Sequence, residues 1–128
     1  MTPLKLVKSP PMTKVYEYAK CSTCRKALKF LDARGVSYQK VPIVDQPPTQ
    51  KELEGMLARL GGDLRRLFNT SGELYREMKL SDKLKTMKPA EALALLSKHG
   101  KLVKRPFLVS DKGGLVGFQE AEWKAFFA

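Results

Sequence analysis

Hydrophobic and polar positions in the first third of the chain predict a strand, a helix and a second strand. Val15–Tyr18 is a short run of β-branched and aromatic residues, which is typical of a strand. Apolar residues then recur with the spacing of one helix face, at Cys24, Ala27, Leu28 and Leu31. Gly35 suits the end of this helix, and Val36–Val44 has the Val, Ile and Tyr content of a strand. The strands of such a β-α-β unit normally pair in parallel.

Residues 46–100 show only helical patterns. Thr49 and Glu52 form a capping box ahead of an apolar helix face. Other helix starts and stops are marked by the residue types preferred there, namely Gly61-Gly62, Asp63, the Asn69–Gly72 turn, Pro89 and Gly100. The sequence therefore predicts an all-helical insert between the β-α-β unit and the end of the chain.

The C-terminal part predicts a β-hairpin followed by a short helix. Phe107–Ser110 and Leu115–Phe118 flank the turn-forming segment Asp111–Gly114, which is the pattern of two antiparallel strands. The final helix carries Trp123, Phe126 and Phe127, and we expect their aromatic bulk to close the core.

The composition indicates one basic, globular domain. A chain of 128 residues with 43% apolar content can bury a core, and no apolar run is long enough to cross a membrane. The formal charge of +11 would attract anions or acidic surfaces, but no nucleic-acid motif accompanies it, and no direct nucleic-acid binding is expected. Residues 14–128 are therefore interpreted as a single domain.

The N-terminal segment predicts a flexible tail over residues 1–13. It contains three prolines before residue 12 and no periodic pattern, and Met12 could serve as an alternative translation start. Because the segment lacks an apolar secretory core, we expect the protein to be cytoplasmic. In that reducing compartment, two cysteines favour a catalytic or redox-sensing role over a structural one.

Cys21 and Cys24 form a Cys-x-x-Cys pair in the turn where the first strand leads into the first helix. The unpaired N–H groups of a helix start stabilise a thiolate. Lys20 and Arg25 add positive charge nearby, and Ser22 and Thr23 complete the expected thiolate environment. Cys21 is therefore the candidate nucleophile, and Cys24 could attack a mixed disulfide on Cys21 to form an internal one.

Two other interpretations of the cysteines are open. A zinc site would need two further ligands, and the chain offers only His99 beyond the pair, so no metal is expected. The second interpretation is that the two cysteines only pack in the core without reacting, because free cysteine is often buried. His99 suits a helix ending, where a cationic side chain meets the terminal carbonyls, and we assign it no function.

Several stretches of the sequence resemble the ArsC/Spx family: YAKCSTCRKALKFLDARGVSY, PPTQKEL, LYREMKL, KRPFLV and GLVGF. The resemblance spans nearly all of the chain from Lys14 to Phe127. It implies an α/β, thioredoxin-like (glutaredoxin-like) fold with a βαβ…ββα mixed sheet, in which residues 14–45 and 101–128 form the core and 46–100 the helical insertion. The family contains arsenate reductases, Spx-type redox-sensing regulators that bind the RNA polymerase α subunit, and YffB-type glutathione-dependent reductase-like proteins.

The resemblance also implies roles for single residues. Cys21 matches the family's nucleophilic cysteine, and Arg105-Pro106 matches its Arg-Pro pair, which implies a cis proline beside the nucleophile and an arginine that binds an oxyanion or thiolate. A guanidinium offers a planar fork to arsenate, sulfate or a carboxylate. Gly62 falls near the glycine that Spx uses against RNA polymerase, although a helix C-cap is the preferred explanation of Gly61-Gly62.

The departures from the family bear on arsenate chemistry. Asn69 and Phe118 stand where glutaredoxin-linked arsenate reductases carry further arginines, and Ser71 stands where Spx-type and YffB-type relatives tend to carry one. Those arsenate reductases also lack a cysteine at the position of Cys24. With only Arg105 left of the family's anion-binding arginines, we predict weaker stabilisation of bound arsenate.

These features predict a thiol-disulfide oxidoreductase. Cys21 would attack a disulfide, a glutathione adduct or an oxyanion, Cys24 would resolve the product, and Arg105 would hold the anionic partner. No bound cofactor is expected, and glutathione, a glutaredoxin or a thioredoxin would act as reductant. Two alternatives stay open: a regulator that binds the RNA polymerase α subunit and uses the cysteines as a switch, and an arsenate reductase proper.

Overall fold

The structure is a computed structural model that describes residues 13–128. In order along the chain, its elements are β1 (Thr13–Glu17), α1 (Ser22–Ala33), β2 (Gln39–Pro42), α2 (Gln50–Arg59), α3 (Glu73–Glu77), α4 (Leu80–Lys83), α5 (Pro89–Lys98), β3 (Phe107–Ser110), β4 (Gly113–Val116) and α6 (Glu120–Phe126). The 3-10 turn Leu64–Leu67 lies between α2 and α3, and the 3-10 turn Gly100–Leu102 lies between α5 and β3. The predicted tail lies outside the described residues apart from Thr13, which begins β1, and so does Met12.

The strands form one mixed sheet in the order β2-β1-β3-β4. β1 pairs in parallel with β2, and Val15 lies opposite Lys40. β1 pairs antiparallel with β3, with Val15 opposite Leu108, and β3 pairs antiparallel with β4, with Leu108 opposite Leu115. The predicted parallel β-α-β unit, the hairpin and the helical insertion are therefore confirmed.

The sheet separates two apolar clusters because successive strand residues point to opposite faces. Val15, Leu108 and Leu115 face one side, where they meet Ala27 and Leu31 of α1 and Trp123 of α6. Tyr16, Phe107 and Val116 face the other side and pack against the helical insertion. The prediction that the aromatic residues of the last helix close the core is confirmed for Trp123, which is fully buried.

The first helix of the insertion, α2, begins and ends where the sequence predicts. The side chain of Thr49 accepts the Glu52 backbone N–H, while the Glu52 side chain accepts the Thr49 backbone N–H, so the capping box is complete. At the other end of α2, Gly61 and Gly62 both have positive φ, at 71° and 85°, and the Gly62 N–H donates to the Leu57 carbonyl. This pattern is the αL ending that favours glycine.

Several predicted boundaries are wrong. The second strand covers only Gln39–Pro42 of the expected Val36–Val44, and the last strand ends at Val116 instead of Phe118. α5 ends at Lys98, and Gly100 has a different role from a helix stop. A Cβ at Gly100 would overlap the Ile43 carbonyl oxygen, so glycine is required for the 100–102 turn to lie against the end of β2.

None of the helices within residues 13–128 is long and apolar enough to span a membrane.

Candidate functional site

Cys21 caps the start of α1. Its backbone is extended, with φ −94° and ψ 114°, and its Sγ accepts the Cys24 backbone N–H at 3.2 Å. The sulfur thus takes the place of the oxygen that usually caps a helix, at the end where the dipole favours negative charge. The side chain is partly exposed, as a nucleophile requires. The first turn of α1 holds no acidic residue that would oppose a thiolate.

Cys24 is buried one turn behind Cys21, and both are free thiols. Burial and the hydrogen bond with the Cys21 side chain raise the pKa of Cys24 to about 12, and they outweigh the lowering effects of a backbone hydrogen bond with Tyr18 and of the Arg105 charge. Cys24 therefore keeps its proton at neutral pH. The two thiols differ as a redox pair requires, because one is accessible at a helix start and the other is held protonated beside it.

Arg105 lines the same cavity as Cys21, its charge acts on Cys24, and a cis peptide bond joins it to Pro106. Its guanidinium lies over the Tyr18 ring, with Cζ 4.9 Å from the ring centroid, and Nη1 donates to the Lys101 carbonyl at 3.2 Å. Nε is buried and has no hydrogen-bond partner within residues 13–128. The implied cis proline is therefore observed, and Arg105 retains hydrogen-bonding capacity for an anionic group.

The Cys21 side chain faces a cavity of about 790 Å³. Of the predicted site residues, Cys21, Thr23 and Arg105 line it, whereas Cys24 and Pro106 are buried. Lys20, Ser22 and Arg25 are exposed and are not part of the lining, and the Arg25 guanidinium donates to the Ala19 carbonyl at 2.9 Å. Asn69, Ser71 and Phe118 line the cavity in place of the family's arginines.

Three cations that the sequence did not assign to the site, Arg65, Arg66 and Lys104, also line the cavity, at positions other than those of the family's arginines. A long-range backbone pairing brings them there. The Lys104 N–H donates to the Leu67 carbonyl and the Asn69 N–H to the Leu102 carbonyl, both at 2.7 Å. The only sequence signal was the Arg65-Arg66 pair after the Asp63 cap, and nothing local indicates its distant partner.

Gly62 lies away from the cysteines, on a separate depression of about 270 Å³. It is exposed, and a Cβ at this position would meet nothing within 4 Å. Asp63 and Arg65 line both depressions, which therefore adjoin. The structure thus groups Gly62 with the rim of the cavity and not with the cysteine pair.

A mixed sheet of this order, with Cys-x-x-Cys at the first helix start and a cis proline before the third strand, defines a thioredoxin-like protein. The chain matches the ArsC family over residues 16–126. A solved ArsC-family-related protein from Bacteroides fragilis superimposes with a TM-score of 0.85 at 43% identity, covering 92% of this chain and 99% of that one. This chain belongs to the ArsC family, and the resemblance seen in the sequence is confirmed.

The relatives include proteins of different named roles. The uncharacterised protein YusI of Bacillus subtilis is 42% identical over 109 residues, which are 85% of this chain and 92% of YusI. The global transcriptional regulator Spx of Streptococcus pneumoniae is 27% identical over 106 residues, 83% of this chain and 78% of its own length. An arsenate reductase of Neisseria meningitidis is 28% identical over 108 residues, 84% and 91% of the two chains. The chain is therefore similar to both reductases and regulators.

Proposed function

We propose that this protein is a thiol-disulfide oxidoreductase acting in the reducing cytoplasm. The Cys21 thiolate attacks one sulfur of a disulfide, and the S–S bond breaks to release one thiolate and leave a mixed disulfide on Cys21. The Cys24 sulfur then attacks the Cys21 sulfur, gives up its proton, and releases the second half of the substrate as a thiol. Two electrons pass from the cysteine pair to the substrate, and an internal disulfide remains.

The observation that carries this proposal is the contrast between the two thiols. Cys21 is partly exposed at a helix start and opens into the cavity, whereas Cys24 is buried and held protonated directly behind it. The Cys24 N–H donates to Cys21 Sγ at 3.2 Å, and the two side chains also hydrogen-bond, so the thiols are neighbours as exchange between them requires. A small thiol such as glutathione, or a glutaredoxin or thioredoxin, would reduce the internal disulfide again.

The positive groups around Cys21 support an anionic partner. Arg105 keeps a buried, unpartnered Nε–H, and three further cationic side chains line the same cavity, namely Arg65, Arg66 and Lys104. Charge-assisted hydrogen bonds from arginine to a carboxylate or an oxyanion are among the stronger polar interactions in proteins. Arg105 would therefore hold the partner while Cys21 reacts.

The first test is a count of free thiols on the reduced protein after exposure to a disulfide-forming oxidant such as diamide. The chain has only two cysteines, so we expect both thiols to disappear as one internal disulfide. Cys24→Ser should form no internal disulfide, and Cys21→Ser should lose the rapid reaction with the oxidant. Retention of both thiols in the wild type, or equal reactivity of Cys21→Ser, would contradict the proposal.

Arsenate reduction is a second candidate, favoured by the three additional cations in the cavity and by the named reductase relative. Asn69 and Phe118, which bring no positive charge to the same cavity, weigh against it. Exposure of the reduced protein to arsenate alone separates the two functions. Loss of both thiols, dependent on Cys21, would make arsenate the substrate, whereas their retention would restrict the protein to disulfides.

A redox-sensing regulator is the candidate from a different class. The Spx relative and the exposed position of Gly62 beside a shallow depression support it, while the hydrogen bond from the Gly62 N–H to Leu57 explains the glycine by the helix end alone. The test is retention of the RNA polymerase α subunit on the immobilised, reduced protein. Retention that is lost on oxidation and in a Gly62→Arg variant would favour the regulator.

A further inference from the structure

We infer that the disulfide attacked by Cys21 is carried by an acidic polypeptide segment, which lies across the cavity and along the exposed face of α1. This inference rests on the proposed thiol-disulfide chemistry and names its class of substrate. Its basis is the distribution of unpaired positive charge on two sides of Cys21.

The cavity itself carries an excess of positive charge. Arg65, Arg66, Lys104 and Arg105 line it, against the carboxylates of Asp63 and Glu122. The Asp63 carboxylate accepts the Arg65 backbone N–H at 3.2 Å as a helix cap. At about 790 Å³ the cavity falls within the range of roughly 300–1,000 Å³ that holds ligands much larger than an inorganic oxyanion. It can therefore accept several residues of a polypeptide.

The second positive surface lies on α1 outside the cavity. Arg25, Lys26 and Lys29 are exposed on this helix, and Lys26 lies one helical turn beyond Thr23, which lines the cavity. Ion pairs within residues 13–128 join Lys14 to Glu52, Lys85 to Asp82 and Lys124 to Glu120, and none of them involves these cations. Their charges are available to a partner.

Only a polypeptide is long enough to contact both positive surfaces. A small thiol such as glutathione would occupy the cavity only, whereas an extended acidic segment would also contact Lys26 and Lys29. Exposed charges of this kind increase the rate of encounter with an oppositely charged partner, and salt screens the effect. The electron balance is that of the proposed function: one sulfur of the segment's disulfide departs as a thiolate when Cys21 attacks, the other departs as a thiol when Cys24 attacks Cys21, and Cys21 and Cys24 remain joined as an internal disulfide.

The experiment compares activated disulfides of different charge. Peptides of equal length with one cysteine and an acidic, neutral or basic sequence are converted to 2-pyridyl disulfides, as is glutathione, and release of thiopyridone measures attack by Cys21. At ~0.01 M salt we expect the acidic peptide to react about tenfold faster than the basic one, and this ratio should fall toward one at ~1 M salt. Equal rates for the three peptides would overturn the inference.

The matched variants are Lys26→Glu and Lys112→Glu. Both reverse one exposed charge, but Lys112 lies in the β3–β4 turn, where the neighbouring Ser110 pairs with Thr13 at the sheet end away from Cys21. Lys26→Glu should slow the acidic peptide several-fold more than the glutathione derivative, and Lys112→Glu should change neither. Equal slowing of both substrates by Lys26→Glu would overturn the inference. If no disulfide reacts faster with the wild type than with Cys21→Ser, the proposed function itself fails.

Discussion

At the residue scale, the Glu52 carboxylate joins the first strand to the second helix. Its Oε2 lies 2.8 Å from Lys14 Nζ, and its Oε1 accepts the Tyr16 hydroxyl at 2.6 Å and the Thr49 N–H at 3.0 Å. Burial by itself would raise the pKa of Glu52, but hydrogen bonds from Lys14, Tyr16 and Thr49 outweigh it and lower the pKa. The ionised carboxylate is therefore favoured by folding.

This lowered pKa makes stability depend on pH. The unfolded chain binds the Glu52 proton at a higher pH than the native chain, so the stabilisation is complete above the unfolded pKa of ~4.3 and is lost as pH falls through the lower native value. Glu52→Gln should reduce the free energy of unfolding by about 1 kcal/mol at pH 7 while keeping the cap, and it should flatten the decline below about pH 4.5. Urea unfolding at a series of pH values measures both effects. Glu54→Gln, at an exposed position of the same helix, is the control, and an equal change there would contradict the assignment.

At the element scale, the 100–102 turn fixes how the insertion returns to the sheet. A Cβ at Gly100 would lie 2.7 Å from the Ile43 carbonyl carbon, and backbone cannot yield as a flexible side chain does. Gly100→Ala should therefore cost about 3 kcal/mol or more, or prevent folding. Gly55→Ala is the matched variant, because Gly55 lies inside α2 and a Cβ there would meet only Arg59 Nη1 at 3.6 Å. It should gain about 0.5–1 kcal/mol. Urea unfolding compares the two, and a loss below about 1 kcal/mol for Gly100→Ala would contradict the close approach.

The same elements explain how much of the site the sequence predicts. The Cys-x-x-Cys helix start, the capping box and the hairpin are local patterns of a few residues, so they can be predicted without the fold. The approach of Arg65 and Arg66 to Cys21 depends on the bridge between Phe68 and Val103, which are far apart in sequence. The role of Gly100 likewise depends on its distant contact with Ile43. Neither the Phe68–Val103 bridge nor the Gly100–Ile43 contact produces a periodic pattern within one stretch of sequence, so neither can be predicted from such a pattern.

At the scale of the whole molecule, the sheet couples two apolar clusters that share its strands. Trp123 belongs to one cluster, is fully buried and donates its indole N–H to the Gly117 carbonyl at 3.1 Å. It is the only tryptophan, so its fluorescence reports unfolding on that side. Leu67 belongs to the other cluster, among the residues of the helical insertion. Alternate residues of β1 and β3 pack into the two clusters on opposite faces of the sheet. Unfolding of either cluster therefore removes packing from the other.

We therefore expect one cooperative transition, in which tryptophan fluorescence and far-ultraviolet circular dichroism change together in urea. Leu67→Ala, which removes buried side-chain volume from the insertion, should lower the free energy of unfolding by about 2–5 kcal/mol and shift both signals equally. Leu31→Ala, in the cluster that contains Trp123, should do the same. If Leu67→Ala shifted the dichroism transition and left the fluorescence midpoint in place, the insertion would unfold as a separate unit. Arg65 and Arg66 would then leave the cavity while Cys21 and Cys24 stayed in position, because these two arginines lie on the insertion and the cysteines lie at the start of α1.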